Sequence, residues 1–341
     1  MHNGTLPSQS LSAVWYGVND MRLEQRPLPA MGDHDVLVEI AACGICATDL
    51  HLLDGSIPLY KPPKVLGHEM GGVVRAVGGA VVHVRPGDQV ALDTSVPCGA
   101  CFYCHEGYPF ACPNRASVAA GMAQYTVVPG SVAYRLPAGV EPATGALAEP
   151  LSCALHAVEI SGLRPGYSVA IIGAGALGLL VLQVARLAGA LSVVVSDPDP
   201  ARRRLAEQLG ATRTVDPTRE DLKAVADGLS DGRGVDYAFE AVGAEATIEQ
   251  AITLPRFAGT VVLVGVAPAT ARPRFSAYDA FARSITIRGS FVRTTEFRRA
   301  VELLAVLDLA PMITHRFALQ DVDAAFKAAR SRAGIRVLVG A

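Results

Sequence analysis

Four cysteines lie close together in the first third of the chain. Cys98, Cys101, Cys104 and Cys112 follow the spacing C-x2-C-x2-C-x7-C. Four thiolates at such short spacing can surround one tetrahedral zinc ion, and a closed four-sulfur shell leaves no position for a substrate. A zinc bound here would therefore be structural. Short cysteine spacings also serve iron–sulfur clusters, so the spacing predicts a metal site and leaves that alternative open.

A second group of candidate ligands precedes these cysteines. It lies in residues 44–51 (GICATDLH) and 67–69 (GHE). Cysteine, histidine and a carboxylate can bind zinc with one position open, which is the arrangement of a catalytic zinc. Such a zinc would polarise an alcohol or carbonyl oxygen. Other interpretations stay open, because Cys43 and Cys46 could be a redox pair, and the threonine and aspartate of the first segment could form a turn.

A glycine-rich motif, GAGALG, follows the apolar run 168–172 and precedes a helical pattern. Gly173 would permit a tight turn, Gly175 would let the backbone approach a pyrophosphate, and Gly178 would let the helix pack closely on the strand. The N-terminus of that helix would offer free N–H groups and a positive dipole end to phosphates. The motif in this context predicts a dinucleotide site.

An aspartate, Asp197, stands at the end of the next predicted strand. A carboxylate there can accept hydrogen bonds from the ribose hydroxyls of NAD, and it would repel the 2′-phosphate of NADP. The alternative is that Asp197 caps the following helix. Arg202, Arg203 and Arg204 could clamp a 2′-phosphate or could form a solvated helix face. Asp197 favours NAD.

Composition limits the classes of function. A chain of 341 residues suggests about two domains. A net charge of -2 gives no basic footprint for nucleic acid. The apolar run 169–184 is interrupted by glycines, so we expect no membrane span, and residues 1–10 lack the pattern of a signal peptide. Clustered cysteines without an export signal favour a reducing, cytoplasmic location.

The predicted elements change character along the chain. The first third has short β-branched strands with Gly/Pro turns, which suggest a β-barrel-like module. After about Leu151, strands alternate with helices, which indicates βαβ units and a parallel sheet. The tail, 295–341, is predicted to be mostly helical with a closing strand at 335–339. The predicted strands are 36–40, 72–77, 89–92, 168–172, 191–195, 235–239, 260–264 and 284–288, and the predicted helices are 177–187 and 201–209.

These motifs, in this order, resemble the zinc-containing medium-chain dehydrogenase/reductase family. The resemblance runs from Val36 to the C-terminus. Within this family the chain is most similar to bacterial polyol and L-threonine dehydrogenases. It implies an α/β fold with a GroES-like β-barrel catalytic domain (1–152 and 289–341) and a doubly wound Rossmann domain (153–288), with catalysis in the cleft. The matching segments are GICATDLH, GHEMGGVV, RPGDQVAL, CGACFYCHEGYPFAC, AEPLSCALHAV and GAGALG with Asp197.

The resemblance also implies the catalytic zinc site. Cys46, rather than Cys43, and His68 would be ligands. Glu69 would bind the zinc directly or lie beside it. Glu149 would occupy the remaining position at the zinc, either as a ligand or through water. The four clustered cysteines would hold a structural zinc, which gives two zinc ions per chain.

Further roles follow from the same resemblance. Thr48 would contact the substrate oxygen and start a proton relay, His51 would carry the proton to solvent, and Asp49 would orient His68. The chain would use NAD on a small-molecule alcohol or polyol and would form a homo-oligomer, either a dimer or a tetramer. The cofactor contacts would be Gly173, Gly175, Leu177, Gly178, Asp197, Arg202, Val264, Gly265, Val266, Ser290 and Phe291.

The positions that face the substrate depart from the polyol pattern. Leu52 stands where sorbitol-type members often have an aromatic residue, and the segment after Phe291 reads VRTT, so the arginine used for polyols is either shifted or absent. A sugar alcohol, an amino alcohol and a simple secondary alcohol therefore all remain open as substrates. Cys43 and Cys153 have no assigned role beyond small core residues. Two rival functions stay open: a reductase of the same fold acting on a carbonyl or activated double bond, and a non-catalytic binding protein on a dehydrogenase scaffold.

Overall fold

The structure is a computed structural model that describes residues 6–57, 60–118 and 120–340. The strands in these residues are β1 (Gln9–Gly17), β2 (Asp20–Pro27), β3 (Asp35–Gly44), β4 (Lys64–Val65), β5 (Glu69–Val77), β6 (Gln89–Leu92), β7 (Ser95–Val96), β8 (Ala116–Ser117), β9 (Tyr125–Pro129), β10 (Ala133–Arg135), β11 (Ser168–Ile172), β12 (Ser192–Ser196), β13 (Arg213–Val215), β14 (Val235–Glu240), β15 (Pro255–Leu263), β16 (Thr286–Gly289), β17 (Ile313–Ala318) and β18 (Arg336–Gly340).

The α-helices of the same residues are mostly short and lie chiefly between the parallel strands. They are α1 (Ala47–Asp54), α2 (Phe102–His105), α3 (Ala148–Ser161), α4 (Ala176–Leu187), α5 (Pro200–Gln208), α6 (Leu222–Gly228), α7 (Glu245–Thr253), α8 (Ala277–Ala282), α9 (Phe297–Leu303) and α10 (Val322–Ser331). The chain divides into two compact units, Met1–Glu149 with Phe297–Ala341, and Pro150–Glu296.

The first unit is built on a largely antiparallel sheet of order β10-β6-β5-β3-β18-β17, with β9 also pairing to β3. In this sheet β3 lies between β5 and β18, and its last residue, Gly44, is paired with Glu69 on one side and with Leu338 on the other. The end of β3 and the beginnings of β5 and β18 therefore meet at one edge. This register brings together segments that are far apart in the sequence.

The core of the first unit follows the alternation of its strands. Val36, Val38 and Ile40 of β3 are almost fully buried, as are Val90 and Leu92 of β6. Side chains on an antiparallel strand point alternately to the two faces, so this period of two places one row in the core. The core fixes the register, because a slip of one residue would move the whole row out of this hydrophobic cluster.

The second unit is a parallel sheet of order β13-β12-β11-β14-β15-β16. This order is that of a doubly wound dinucleotide-binding fold. Its central strands β11 and β12 are largely apolar and buried, as expected where helices cover both faces. Ile172 at the end of β11 is paired with Ser196 on one side and Glu240 on the other. The residues that follow these three strands therefore share the carboxyl edge.

The predicted fold class, a GroES-like β-barrel module with a doubly wound Rossmann module, is confirmed. The prediction of a mostly helical tail missed one strand, β17, which runs parallel to β18. Its sequence, ITHRFA, alternates partly buried and exposed side chains and contains His and Arg, so it lacks the apolar run of a buried strand. No helix in the described ranges is both long enough and apolar enough to cross a membrane.

Candidate metal centres and cofactor site

Three predicted zinc ligands converge at the edge of the first unit's sheet. Ligand atoms of Cys46, His68 and Glu69 all lie within 4.8 Å of one another. Cys46 follows β3 and is the N-cap residue of α1, while His68 and Glu69 stand at the start of β5. The β3–β5 register thus brings two short segments onto one point. One thiol, one imidazole and one carboxylate form a donor set that suits zinc.

Two glycines make room for this convergence. A Cβ on Gly44 would lie 2.0 Å from Oε2 of Glu69, so the carboxylate lies directly over the backbone of β3. Gly67 has φ +94°, a conformation that favours glycine, and a Cβ there would lie 2.5 Å from Sγ of Cys43. Cys43 is fully buried beneath the site, and burial raises the pKa of its thiol. The structure therefore brings Cys46, and not Cys43, to the other ligands.

Asp49 links the two segments. One carboxylate oxygen accepts a hydrogen bond from the backbone N–H of Cys46 at 2.9 Å, and the other lies 3.6 Å from Nδ1 of His68. Asp49 is only 1% exposed. Burial lowers the pKa of His68. The charge of Asp49 and the contacts with Cys46 raise this pKa by more than burial lowers it, so the pKa is well above its usual value. The imidazole thus lies in a negative field, which also favours a divalent cation.

Arg336 was not identified from the sequence. Its guanidinium forms an ion pair with Glu69, with Nη1 2.8 Å from Oε2, and also donates to the backbone carbonyl of Ile45 at 3.2 Å. Burial raises the pKa of Glu69 above its ordinary value, although Arg336 and His68 lower it. The only signal in the sequence was an arginine within the closing apolar run IRVLV.

Glu149 lies in the first turn of α3 and is 8% exposed. It falls outside the three-residue group, yet its charge raises the pKa of both Glu69 and Arg336. The preceding segment, 142–147, packs on β5, since a Cβ on Gly71 would lie 2.1 Å from the carbonyl oxygen of Pro142. Glu149 is thus a second acidic group close to the candidate metal centre.

The predicted relay residues both lie on α1. Thr48 Oγ1 lies 3.8 Å from Sγ of Cys46, so its hydroxyl borders the candidate metal centre. His51 lies one turn further along, with Nδ1 2.9 Å from Oγ of Ser56. The helical spacing of three residues places both side chains on one face.

The cysteine lobe brings its four thiols together. Sγ of Cys104 lies 3.5 Å from Sγ of Cys101 and 4.0 Å from Sγ of Cys98, and the backbone N–H of Cys98 donates to Sγ of Cys112 at 3.4 Å. Zn–S bonds of about 2.3 Å in a tetrahedron require sulfur atoms about 3.8 Å apart. The thiols are therefore spaced for one zinc ion, and all seven cysteines of the chain are free of disulfides.

In the second unit the glycine motif follows β11 directly. Gly173 has φ +100°, and a Cβ on Gly178 would lie 1.9 Å from the carbonyl oxygen of Gly173. By contrast, a Cβ on Gly175 would meet nothing within 4 Å. Gly173 and Gly178 are thus required by the turn and by close packing of α4, while Gly175 faces open space at the helix N-terminus. That opening suits the approach of a phosphate.

Asp197 follows β12 and connects two loops. One carboxylate oxygen accepts from the backbone N–H of Ala174 at 2.8 Å, and the other accepts from the N–H of Asp199 at 2.9 Å. The alternative that Asp197 caps the next helix is wrong: the N-cap of α5 is Asp199, which accepts from the N–H groups of Ala201 and Arg202. A carboxylate has about four acceptor positions, so Asp197 can still accept from ribose hydroxyls.

The neighbouring arginines differ in how they are held. Arg203 donates to the backbone oxygen of Asp197 and pairs with Asp216 at 3.1 Å, so its guanidinium already has partners within the protein. Arg202 lies 4.0 Å from the Asp197 carboxylate, whereas Arg204 is exposed.

The remaining predicted cofactor residues follow the ends of strands or open α4. Val264 is buried, and a Cβ on Gly265 would lie 2.3 Å from the nitrogen of Gly243, so two loops pack tightly there. Val266 and Phe291 are 73% and 71% exposed. The N–H of Ser290 donates to Leu263, and Leu177 is partly exposed on the first turn of α4.

Comparison with known proteins defines the class. Residues 32–138 match the alcohol dehydrogenase GroES-like domain, and residues 176–306 match the zinc-binding dehydrogenase domain. The chain belongs to the zinc-containing medium-chain dehydrogenase/reductase family, and it is a zinc-dependent oxidoreductase. The predicted family and class of reaction are therefore confirmed.

Particular relatives resemble the whole chain. D-xylulose reductase A of Aspergillus niger is 34% identical over 348 residues, covering 97% of each chain. A solved structure from Sinorhizobium meliloti, described as a candidate zinc-binding dehydrogenase bound to NADP, is 36% identical, with a TM-score of 0.93 over 98% of this chain and 100% of that one. L-idonate 5-dehydrogenase of Escherichia coli is 28% identical, with a TM-score of 0.89 over 98% of each.

Proposed function

We propose that this protein transfers a hydride between a secondary hydroxyl group of a polyol, or the corresponding ketone, and NAD. The observation that carries the proposal is the convergence of Cys46, His68 and Glu69 within 4.8 Å, with the Thr48 hydroxyl beside them. A thiol, an imidazole and a carboxylate leave room for an exchangeable position, whereas a fully closed shell would not.

Two groups of residues have the donor atoms that a zinc ion requires. Cys46 and His68, with Glu69 or Glu149, would hold a catalytic zinc, and Cys98, Cys101, Cys104 and Cys112 would hold a structural one. When bound, the catalytic zinc supplies Lewis acidity that lowers the pKa of an alcohol. The charges of Asp49, Glu69 and Glu149 offset that of a divalent cation, and Arg336 neutralises part of their excess.

Residues of the chain would then transfer the proton of the substrate hydroxyl to solvent. The Thr48 hydroxyl would accept the proton of the substrate hydroxyl and pass it toward His51, which is 44% exposed at its side chain and can release it to water. Asp49 would hold the His68 ring in one orientation, as carboxylates commonly do for ligating histidines.

The cofactor is proposed to be NAD. Bound NAD supplies the hydride acceptor, while Asp197 would accept hydrogen bonds from the adenosine ribose, and the open face of Gly175 would admit the pyrophosphate. The relative from Sinorhizobium meliloti was solved with NADP. Our proposal rests on the Asp197 carboxylate, which would repel a 2′-phosphate.

The substrate class is supported by the names of relatives, D-xylulose reductase and L-idonate 5-dehydrogenase, which indicate a ketose and a sugar acid with several hydroxyl groups. The test is a panel of pentitols, hexitols, sugar acids, L-threonine and simple secondary alcohols, followed by NADH absorbance. Turnover of a polyol with NAD supports the proposal. Activity confined to the reduction of activated double bonds would favour the rival reductase.

Metal analysis tests the site itself. We expect two zinc ions per chain by elemental analysis. Iron with acid-labile sulfide would instead identify the lobe as a cluster site. A count of one zinc, lost in a Cys104→Ser variant, would mean that only the lobe binds metal and that the catalytic assignment fails.

We also propose that the chain forms a homo-oligomer through the free edge of the second unit's sheet. All four residues of the edge strand β16 are exposed, and nearby Tyr278 and Phe281 of α8 are 74% and 80% exposed. An exposed edge with aromatic neighbours favours pairing with another chain, here a second copy. Light scattering after size exclusion would distinguish a monomer from a dimer or tetramer, and Ile287→Lys should weaken the assembly.

A further inference from the structure

The C-terminal end of α1 folds back over the proposed relay histidine. Gly55 caps the helix with φ +79°, and this left-handed turn brings Ser56 beside the last turn of the helix. Oγ of Ser56 lies 2.9 Å from Nδ1 of His51 and 3.4 Å from the backbone carbonyl oxygen of His51. The segment Asp54-Gly55-Ser56 therefore makes a local cradle for one ring nitrogen.

The cradle favours one ring nitrogen as the carrier of the proton of neutral His51. A serine hydroxyl has one proton to donate, and the two other groups beside it, the Asp54 carboxylate and the backbone carbonyl of His51, can only accept. When Ser56 donates to either of them, its oxygen lone pairs face Nδ1, and Nδ1 must be the donor. Nε2 then has no hydrogen and is the nitrogen that can accept one.

A carboxylate supports the same arrangement. Oδ2 of Asp54 lies 3.9 Å from Nδ1 of His51, and Oδ1 of Asp54 accepts the backbone N–H of Ser56 at 2.9 Å. Hydrogen bonds from Ser56 lower the pKa of Asp54, so this carboxylate stays ionised at neutral pH. A negative charge on this side favours the N–H on Nδ1.

We propose that Ser56 and Asp54 are positioning residues that hold His51 in the tautomer with hydrogen on Nδ1 and a free Nε2. This inference rests on the relay role of His51 in the proposed function. In the relay, Nε2 accepts the proton that leaves the substrate hydroxyl through Thr48, and the ring becomes an imidazolium. Nδ1 keeps its proton and its hydrogen bond to Ser56, and Nε2 then releases its proton to water, which restores the starting tautomer.

Nitrogen NMR of the full chain tests the tautomer without any need for turnover. The chain has only 8 histidines, so selective 15N labelling gives few signals, and His51→Gln assigns the signal of interest. At a pH where His51 is neutral, its two-bond 1H–15N pattern should be that of the Nδ1–H form. Ser56→Ala and Asp54→Asn should each move the pattern toward the Nε2–H form. An unchanged pattern in both variants would overturn the proposal.

A kinetic double-mutant cycle asks whether Ser56 acts through His51. Ser56→Ala should lower kcat roughly 3- to 10-fold, which is less than the 10²–10⁴ typical of losing a general base. In the His51→Gln background the same change should have no further effect, because the two residues act as one unit. An equal loss of kcat in both backgrounds would mean that Ser56 only stabilises the turn at the end of α1, and this would overturn the proposal.

A matched control separates helix-end effects from the relay. Ser331 also bonds near a helix C-terminus, and its hydrogen-bond partners are backbone atoms of Ala328 and Ala333 instead of a histidine ring, so Ser331→Ala should leave kcat unchanged. If His51→Gln alone leaves kcat unchanged, the relay in the proposed function is wrong, whereas the NMR result still decides the tautomer. The two failures are thus distinguishable.

Discussion

Arg336 and Glu69 are 267 positions apart in the chain and form an ion pair whose side chains are only 7% and 1% exposed. The pair exists because β18 and β5 flank the same strand, β3, and begin at the same edge of the sheet. A carboxylate this deeply buried requires a counter-charge, and Arg336 provides it beside the candidate metal centre.

Removal of Arg336 should therefore destabilise the first unit. Arg336→Met leaves Glu69 buried without its partner, and we expect a loss of about 3–5 kcal/mol in the free energy of unfolding. Urea denaturation measures the loss. The double variant Arg336→Met with Glu69→Gln should recover part of it. As a control, Arg22→Met breaks an exposed pair with Asp20 and an exposed contact with the Tyr16 ring, and it should change stability little. A similar small effect for Arg336→Met would show that the buried pair is not needed.

The two cysteines of the C-x-x-C segment should behave differently. Cys46→Ser removes a proposed zinc ligand, so we expect a loss of one zinc per chain and a fall in kcat/KM of more than the roughly 10–100-fold typical of residues that only orient ligands. Cys43→Ser should keep both zinc ions and activity, with a stability cost of about 1–3 kcal/mol for burying a hydroxyl. Zinc analysis and steady-state kinetics check both. Loss of metal in Cys43→Ser alone would reverse the ligand assignment.

Asp197 and Asp199 make a matched pair for cofactor choice. Asp197→Gly should raise the preference for NADP over NAD, measured as the ratio of kcat/KM values, by roughly 10-fold or more, equivalent to about 1.4 kcal/mol. Asp199→Gly removes the helix cap and a distant ion pair with Arg202 at 3.9 Å, and it should leave the ratio unchanged, with a stability cost of a few tenths of a kcal/mol. Equal ratios in both variants would mean that Asp197 serves only to connect the two loops.

Glu296 should make the stability of the second unit depend on pH. Burial raises its pKa, but hydrogen bonds from His156 at 3.0 Å and from Thr294 lower it more, to about 2. Because this value lies below the ordinary 4.5, the stabilisation is complete above about pH 5 and is lost as the pH falls toward 2.

The corresponding variant is Glu296→Gln. It should cost on the order of 3 kcal/mol at pH 7, and the difference from the wild type should shrink steadily between pH 5 and pH 2. Urea titrations at several pH values provide the measurement. Glu302→Gln, at an exposed glutamate paired with Arg298, serves as the control and should show no such trend. A pH-independent difference would mean that the charge of Glu296 does not contribute.

Local spacing in the sequence carried much of the prediction. Cysteines separated by two residues, a glycine turn before a helix and an aspartate after the next strand each lie within one short segment, so backbone geometry alone restricts where their side chains can lie. The family, the fold class and the class of reaction followed from these segments in order. The end of α1, where Ser56 meets His51, is equally local, but its contact depends on the left-handed turn at Gly55, which no spacing rule predicted.

Only the tertiary structure decided what depends on strand pairing. The register of β3 with β5 and β18 brings Glu69 to Arg336, and nothing near either residue in the sequence indicates the other. The structure likewise assigned the cap of α5 to Asp199 and added β17 to the tail, where a polar edge strand lacks an apolar run. The sequence by itself determined which chemical groups the protein carries, because short segments dictate their own geometry. The fold decided which distant groups meet, because that depends on how the whole core is packed.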